Sequence, residues 1–279
     1  MPGPEVPDRP RRMTVMSAAL QNVTPACFGL SYLSALALEW ARLRWPRGWL
    51  RPAALAVGAA GLVAHSIYLV ANHPTPATPA GGLLGVAWVL AVFALSGTVH
   101  RTRQAWPVFV LPVVVVLVGL AWLMPAGPAS VGRGWGAVHG VLVLLAAVGV
   151  SVGFLASVMY VVQANRLRAK ANPLPRLKLL SLERLEAMNR RAVATALPLL
   201  TAGLLIGAVL LPGHAVADNW LSVKVLGTAG LWLVCALLCY LRYAAHVSGR
   251  RLALLTLVAF ALLLATLAAA HPFAGGGAS

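Results

Sequence analysis

Histidine is the side chain with which this sequence could most readily do chemistry inside an apolar setting. There are seven histidines in the 279 residues. Two of them lie within long apolar runs: His65 in GAAGLVAHSIYLVAN and His139 in GWGAVHGVLVLLAAVGVSVGFLASVMYVVQ. A neutral imidazole is the least costly ionisable group to place in hydrocarbon, and it ligates metals and haem iron. His65 precedes Asn72 by seven residues, roughly 10 Å along a helix, and His139 follows Trp135 by four, roughly 6 Å. The two rings could therefore stand at a similar level on different helices. Gly58 and Gly61 precede His65, while Gly136 and Gly140 flank His139. Such gaps let a helix or a flat ligand approach closely. Trp135, at i−4, shares a face with His139 and could cover a ligand's edge. The structural alternative is a histidine satisfied by a carbonyl or hydroxyl of a neighbouring helix. Matched depth favours a ligand site, as does the gathering of His73, His214 and His271 toward the same end, with only His100 and His246 at the other. His139 and His65 are then the candidate iron ligands. Each would need an acceptor for its second ring N–H, and backbone carbonyls near the glycines are the best available.

Other chemistries are poorly provided for. A proton relay would need paired carboxylates, and Glu39 is the single acid in an apolar run. Cys27, Cys235 and Cys239 all lie in apolar stretches without a CxxC or CxxCH, so they read as small buried hydrophobes. The chain contains no GxxxxGK[ST], HExxH or GxGxxG, and its one GxSxG match, GVSVG at 149–153, lies inside a long apolar run rather than at a strand-to-helix turn. That gives no support to nucleotide hydrolysis, metalloprotease or serine hydrolase activity.

The elements that must position these histidines follow from composition. Hydrophobic residues make up 60% of the chain and charged residues 10%, more apolar side chain than one water-soluble core could hide. A bilayer is the solvent that fits. Apolar runs near 17–40, 53–72, 81–100, 106–124, 135–163, 193–212, 223–241 and 252–271 predict an all-α, polytopic bundle of about eight transmembrane helices, with no sizeable soluble domain. The first run is too long for a convincing signal peptide and is read as a helix. Residues 1–16 and 272–279 read as tails around a membrane domain at 17–271. The net charge of +16 could suggest nucleic acid, but the basic residues sit in short clusters between spans. Of 22 Lys and Arg, 17 fall in 41–51, 101–105, 164–192 and 242–251. The positive-inside rule makes those segments cytoplasmic and both termini external. Within 164–192, Pro173 and Pro175 break the chain. Leu177, Leu180, Leu182 and Leu185 then recur near helical spacing among arginines, which predicts either a basic amphipathic helix on the inner leaflet or a solvated loop.

The ordered series of runs resembles a known family. WGAVHGVLVLLAAVGVSVGFLASVMYVVQANRL is similar to the helix of cytochrome c assembly proteins that opens with a histidine at its outer end, as in CcsA-type proteins and their HemX-like relatives. LSLERLEAMNRRAVATALPLLTAGLLIGAVLL resembles that family's amphipathic lead-in and next span. WLVCALLCYLR and GRRLALLTLVAFALLL resemble its closing pair, and VAHSIYLV the second-helix histidine of the HemX-like branch. The likeness runs over roughly 50–270. It implies a bacterial inner-membrane, multi-pass protein that handles non-covalent haem b in cytochrome c biogenesis, alongside other maturation or respiratory subunits. By the same resemblance His139 matches the family's outer histidine and His271 is an approximate second. Trp220 and Lys224 are counterparts of its tryptophan-rich outer segment. That segment's Trp-Asp-Pro-Lys-Glu is replaced here by GHAVADNWLSVKVLG, and the family's histidine in the penultimate helix falls on Tyr240. Haem delivery is therefore a better expectation than a complete ligase. Arg133 and Lys224 flank the outer openings and could pair with propionates. Two other readings stand beside this one: a structural or regulatory HemX-like subunit without haem, and a small secondary transporter.

The charge bias makes a direct topological prediction. Reporter fusions after residue 47 and after residue 76 are expected to report opposite sides of the membrane; the same side for both would overturn the arrangement.

Overall fold

The computed structural model describes residues 23–45, 47–74, 76, 78–100, 106–124, 134–169, 179–210, 223–245, 247 and 249–268. Among these residues there are eight helices and no strand. They are α1 (Pro25–Arg44), α2 (Leu50–Asn72), α3 (Pro79–His100), α4 (Pro107–Leu123), α5 (Trp135–Arg168), α6 (Leu182–Leu210), α7 (Val223–Tyr243) and α8 (Gly249–Ala268). Six of them are long and apolar enough to cross a membrane. α4 is a shorter apolar helix of 17 residues, and α1 carries Glu39, Arg42 and Arg44 toward its end. The result is the helical membrane bundle that the apolar runs predict. Proline sits in the first turn of α1 and α4, where its missing N–H costs nothing.

One element differs from expectation. The basic stretch before residue 193 is not a separate surface helix: from Leu182 onward it is the first part of α6, continuous through a 29-residue helix. Leu185 is wholly buried, and Ala192 and Val193 are buried with it. Of the leucines that suggested an amphipathic surface helix, Leu180 and Leu185 are buried in the bundle, while Leu177 lies outside the described residues, as do Pro173 and Pro175. No helix breaker separates Leu182 from the apolar run, so the backbone hydrogen bonds simply continue.

α5 and α6 form the most extensive interface. Lipid gives helices no hydrophobic drive to associate, so close contact through small residues must supply the attraction. A Cβ on Gly149 would lie 3.0 Å from the Ala196 Cβ and 3.2 Å from the Ala192 carbonyl oxygen, and one on Gly203 would lie 3.0 Å from Val143. The order of these contacts along the two helices makes them antiparallel. α8 packs on α5 and α7, with Phe154 of α5 and Phe260 of α8 stacked at 4.0 Å.

Polar groups pin these contacts. The Asn189 side-chain amide donates toward the Gly153 carbonyl at 3.1 Å, Ser157 Oγ at 2.8 Å and Thr256 Oγ1 at 3.0 Å, joining α6 to α5 and α8. Two tryptophans repeat one device. Trp88 Nε1–H donates to Ser66 Oγ at 2.9 Å, and Ser66 donates back to the Leu62 carbonyl. Trp232 Nε1–H donates to Thr201 Oγ1 at 2.8 Å, and Thr201 donates back to the Leu197 carbonyl. Each buried donor thereby finds a partner on another helix. Glu39, 2% exposed, is held by Arg42, whose Nη2 lies 2.6 Å from its carboxylate.

Asn189→Ala removes an amide that joins three helices. Each interhelical bond in a membrane protein contributes about 0.5–1.5 kcal/mol, so the variant is expected to unfold at lower temperature and to lose roughly 1–3 kcal/mol. Unfolding of the purified protein in detergent measures this.

Candidate functional site

The α5–α6 pairing carries His139 to the end of the bundle opposite the arginine clusters. Its Nδ1–H donates to the Gly203 carbonyl of α6 at 2.8 Å. A carbonyl can only accept, so Nδ1 carries the proton and the lone pair belongs to Nε2. The ring lies against a strip of α6 that has no side chains. A Cβ on Gly207 would stand 2.9 Å from His139 Cε1 and 3.2 Å from Nδ1. On the other side, the position a Cβ would take on Gly140 is 3.6 Å from the Pro76 ring, so the α2–α3 connection closes over the start of α5. His139 is half-buried, and Trp135 one turn earlier is 67% exposed. The acceptor expected from a glycine-freed carbonyl is thus present, on the facing helix.

His65 has a different setting. Its ring is wholly buried and stacked parallel to Phe28 of α1, with centroids 4.2 Å apart and an interplanar angle of 5°. The Tyr32 hydroxyl is 3.3 Å from Nδ1. Nε2 is buried without a hydrogen-bond partner among the described residues. α2 packs chiefly on α1 and then on α3, whereas α5 packs on α6 and α8, and α2 and α5 share no extensive interface. The structure therefore seats the two candidate histidines in separate helix groups. To meet a ligand held at His139, the His65 ring would have to leave Phe28. Sequence spacing gave depth but not azimuth, which is why the pair looked closer than its packing makes it.

The remaining candidates divide simply. His73 ends α2 as an exposed left-handed cap, φ 43°, its N–H bonded to the Leu69 carbonyl. Its backbone is therefore fixed, although its sequence surroundings read as a loose turn. Arg133, Trp220, His214 and His271 lie outside the described residues, as does the side chain of Lys224. Among the described residues no three His, Cys, Asp or Glu converge to hold a metal ion. A lone imidazole can still ligate an iron that a macrocycle already holds, and the bond to Gly203 fixes the tautomer of His139. Sequence reasoning missed Asn189, Trp88 and Trp232. Of these, only Asn189 carried a signal, as a lone amide in a leucine-rich stretch.

The geometry makes His139 and Gly207 a coupled pair. Gly207→Ala forces a methyl against the ring and is expected to cost about 1–3 kcal/mol, the usual range for overpacking. The same change in a His139→Ala background is expected to cost under about 1 kcal/mol, since the clash is gone. A double-mutant cycle on thermal unfolding reads the difference.

The family model described as Cytochrome C assembly protein matches residues 80–269. That stretch takes in essentially all of α3 through α8 and leaves α1 and α2, with His65, outside. No curated protein and no solved structure matches the chain.

Proposed function

The chain belongs to the cytochrome c assembly protein family, and on that premise we propose that it is a multi-pass membrane protein that holds non-covalent haem b as cargo at His139 and presents it for cytochrome c maturation. The observation that carries this reading is the Nδ1–H bond from His139 to the Gly203 carbonyl. Metal-bound histidines characteristically donate their other ring N–H to a carbonyl or carboxylate, which fixes the tautomer and turns the ligating nitrogen outward. Gly203 and Gly207 supply this without a polar side chain in the apolar zone. Gly207 lets the ring lie directly against the α6 backbone, where a Cβ would stand 2.9 Å from Cε1.

Haem would bring the iron and its two propionates, and the protein's part is to hold and orient it. His139 offers Nε2, α6 keeps the ring from turning, and Trp135 stands exposed one helical turn away to cover an apolar edge. Arg133 and Lys224, near the same ends of α5 and α7, have the charge to meet propionates. The Phe28 stack makes His65 a packing residue of the α1–α2 pair in this reading, and His271 remains the second-ligand candidate.

Purification in mild detergent tests this. Haem is expected to copurify with a low-spin spectrum. His139→Ala is expected to abolish that spectrum, and His139→Tyr to leave a high-spin species, because a phenolate can also ligate iron. His65→Ala is expected to lower the melting temperature and keep the spectrum; conversion to high spin would make His65 an axial ligand instead. A colourless protein tightly bound to another subunit would favour a haem-free assembly role.

A further inference from the structure

At the basic end of the bundle, a cavity of about 810 Å³ opens between α3, α4, α5 and α6. Its walls include Phe93, Trp106, Val152 and Met188, and Arg184 and Arg191 stand on its α6 side. We propose that this cavity is a binding site for an anionic phospholipid, whose headgroup pairs with Arg184 and Arg191 while an acyl chain lies along the apolar walls.

Three observations converge on that occupant. Arg184 and Arg191 are seven residues apart on one helix, two turns along the same face, so both guanidinium groups serve one opening. Both are exposed, and neither forms an ion pair among the described residues. The sequence has few anions to offer them, with 6 acidic residues against 22 basic. Of these acids, Glu39 is taken by Arg42 and Glu186 by Arg242, and Glu183, exposed beside Arg184, forms no ion pair with it or with Arg191 among the described residues. The counter-charge is therefore best supplied from outside the chain, and guanidinium groups bind phosphate by paired, charge-assisted hydrogen bonds.

The walls then select an amphiphile over a small anion. Phe93 and Trp106 meet edge to face, with centroids 4.9 Å apart. The indole can approach α3 closely because Gly97 has no side chain; a Cβ there would be 2.7 Å from Trp106 Cδ1. The lining runs along α6 from Arg184 to Thr195, roughly 16 Å of helix. That length suits a headgroup and the upper part of one acyl chain. No histidine, cysteine or tyrosine is among the lining residues. Met188 is their one soft iron ligand, so the cavity is poorly furnished for haem. The site is independent of His139, which lies at the opposite end of α5 and α6.

Native mass spectrometry of the full-length protein in neutral detergent tests the proposal, with phosphatidylglycerol and phosphatidylcholine offered as probes. One phosphatidylglycerol is expected to be retained at least tenfold over phosphatidylcholine. The preference is expected to vanish in Arg184→Gln/Arg191→Gln and to survive in Arg250→Gln/Arg251→Gln, which neutralises exposed arginines at the start of α8. Ala187→Trp fills the cavity without changing charge and is expected to lose the lipid as well. It decides the matter if the double arginine variant does not fold. Equal retention of the two lipids, equal loss in both arginine variants, or retention by Ala187→Trp overturns the proposal. So does a haem absorption band that disappears in Met188→Leu.

Discussion

Everything in the larger part of this bundle depends on how closely α5 and α6 can approach. Two apolar helices in lipid exchange one hydrocarbon contact for another, so their association has to come from packing and from polar bonds made across the seam. Gly149, Gly153, Gly203 and Gly207 lie along that seam, and a Cβ at any of them would meet atoms of the other helix between 2.9 and 3.5 Å away. Close approach puts Asn189 within reach of Gly153 and Ser157 on α5, and the same amide reaches Thr256 on α8. At the far end it puts the His139 ring on the α6 backbone. One constraint therefore positions both the polar hub of the fold and the candidate ligand. Widening the seam would loosen them together.

The α1–α2 pair solves the same problem with other residues. Its buried polar groups are Glu39, held by Arg42, and His65, held by Tyr32 and stacked on Phe28. α2 is joined to α3 by Trp88 on Ser66, and the Trp232–Thr201 bond joins α7 to α6 in the same manner. In each case an indole N–H meets a hydroxyl whose own proton returns to a carbonyl four residues earlier. A hydroxyl used in this way stays satisfied with or without the tryptophan. The interhelical bond then adds specificity without leaving a buried group stranded. The family match covers α3 to α8, so the α1–α2 pair lies outside the matched unit and is packed onto it, α1 against α4 and α2 against α3.

Much of this was legible in the sequence, and the reason is physical. A span must be apolar over about 20 residues because every backbone polar group is satisfied within it, and that requirement writes helices directly into composition. α2, α3, α5 and α8 appear within a few residues of their apolar runs. The start of α6 was misread because leucines among arginines look alike on a lipid surface and on a helix that enters the bundle; burial of Leu185 separates the two, and burial is not local information. The depth of His65 and His139 was legible, since rise per residue is constant. Their separation into different helix groups was not, because rotation about a helix axis depends on partners far away in sequence. The hub at Asn189 and the cavity beside Arg184 were likewise invisible, being properties of three or four helices at once.

The two ends of the bundle also differ in the chemistry they can hold, and the bilayer accounts for the difference. A guanidinium cannot be neutralised at any accessible pH, so arginines are confined to the headgroup level, where water and phosphate meet them. Arg42, Arg44, Arg51, Arg168, Arg184, Arg242, Arg250 and Arg251 all lie at the ends of helices that meet there, and Arg191 stands two turns beyond Arg184 on α6. An imidazole can enter hydrocarbon as a neutral ring, provided its N–H finds an acceptor. The α6 backbone provides one only where glycine leaves it uncovered, at Gly203 beside His139. The glycines of α6 therefore let a polar ring be held in an apolar layer without a second polar side chain. Orientation of the ring is thus set by backbone packing alone.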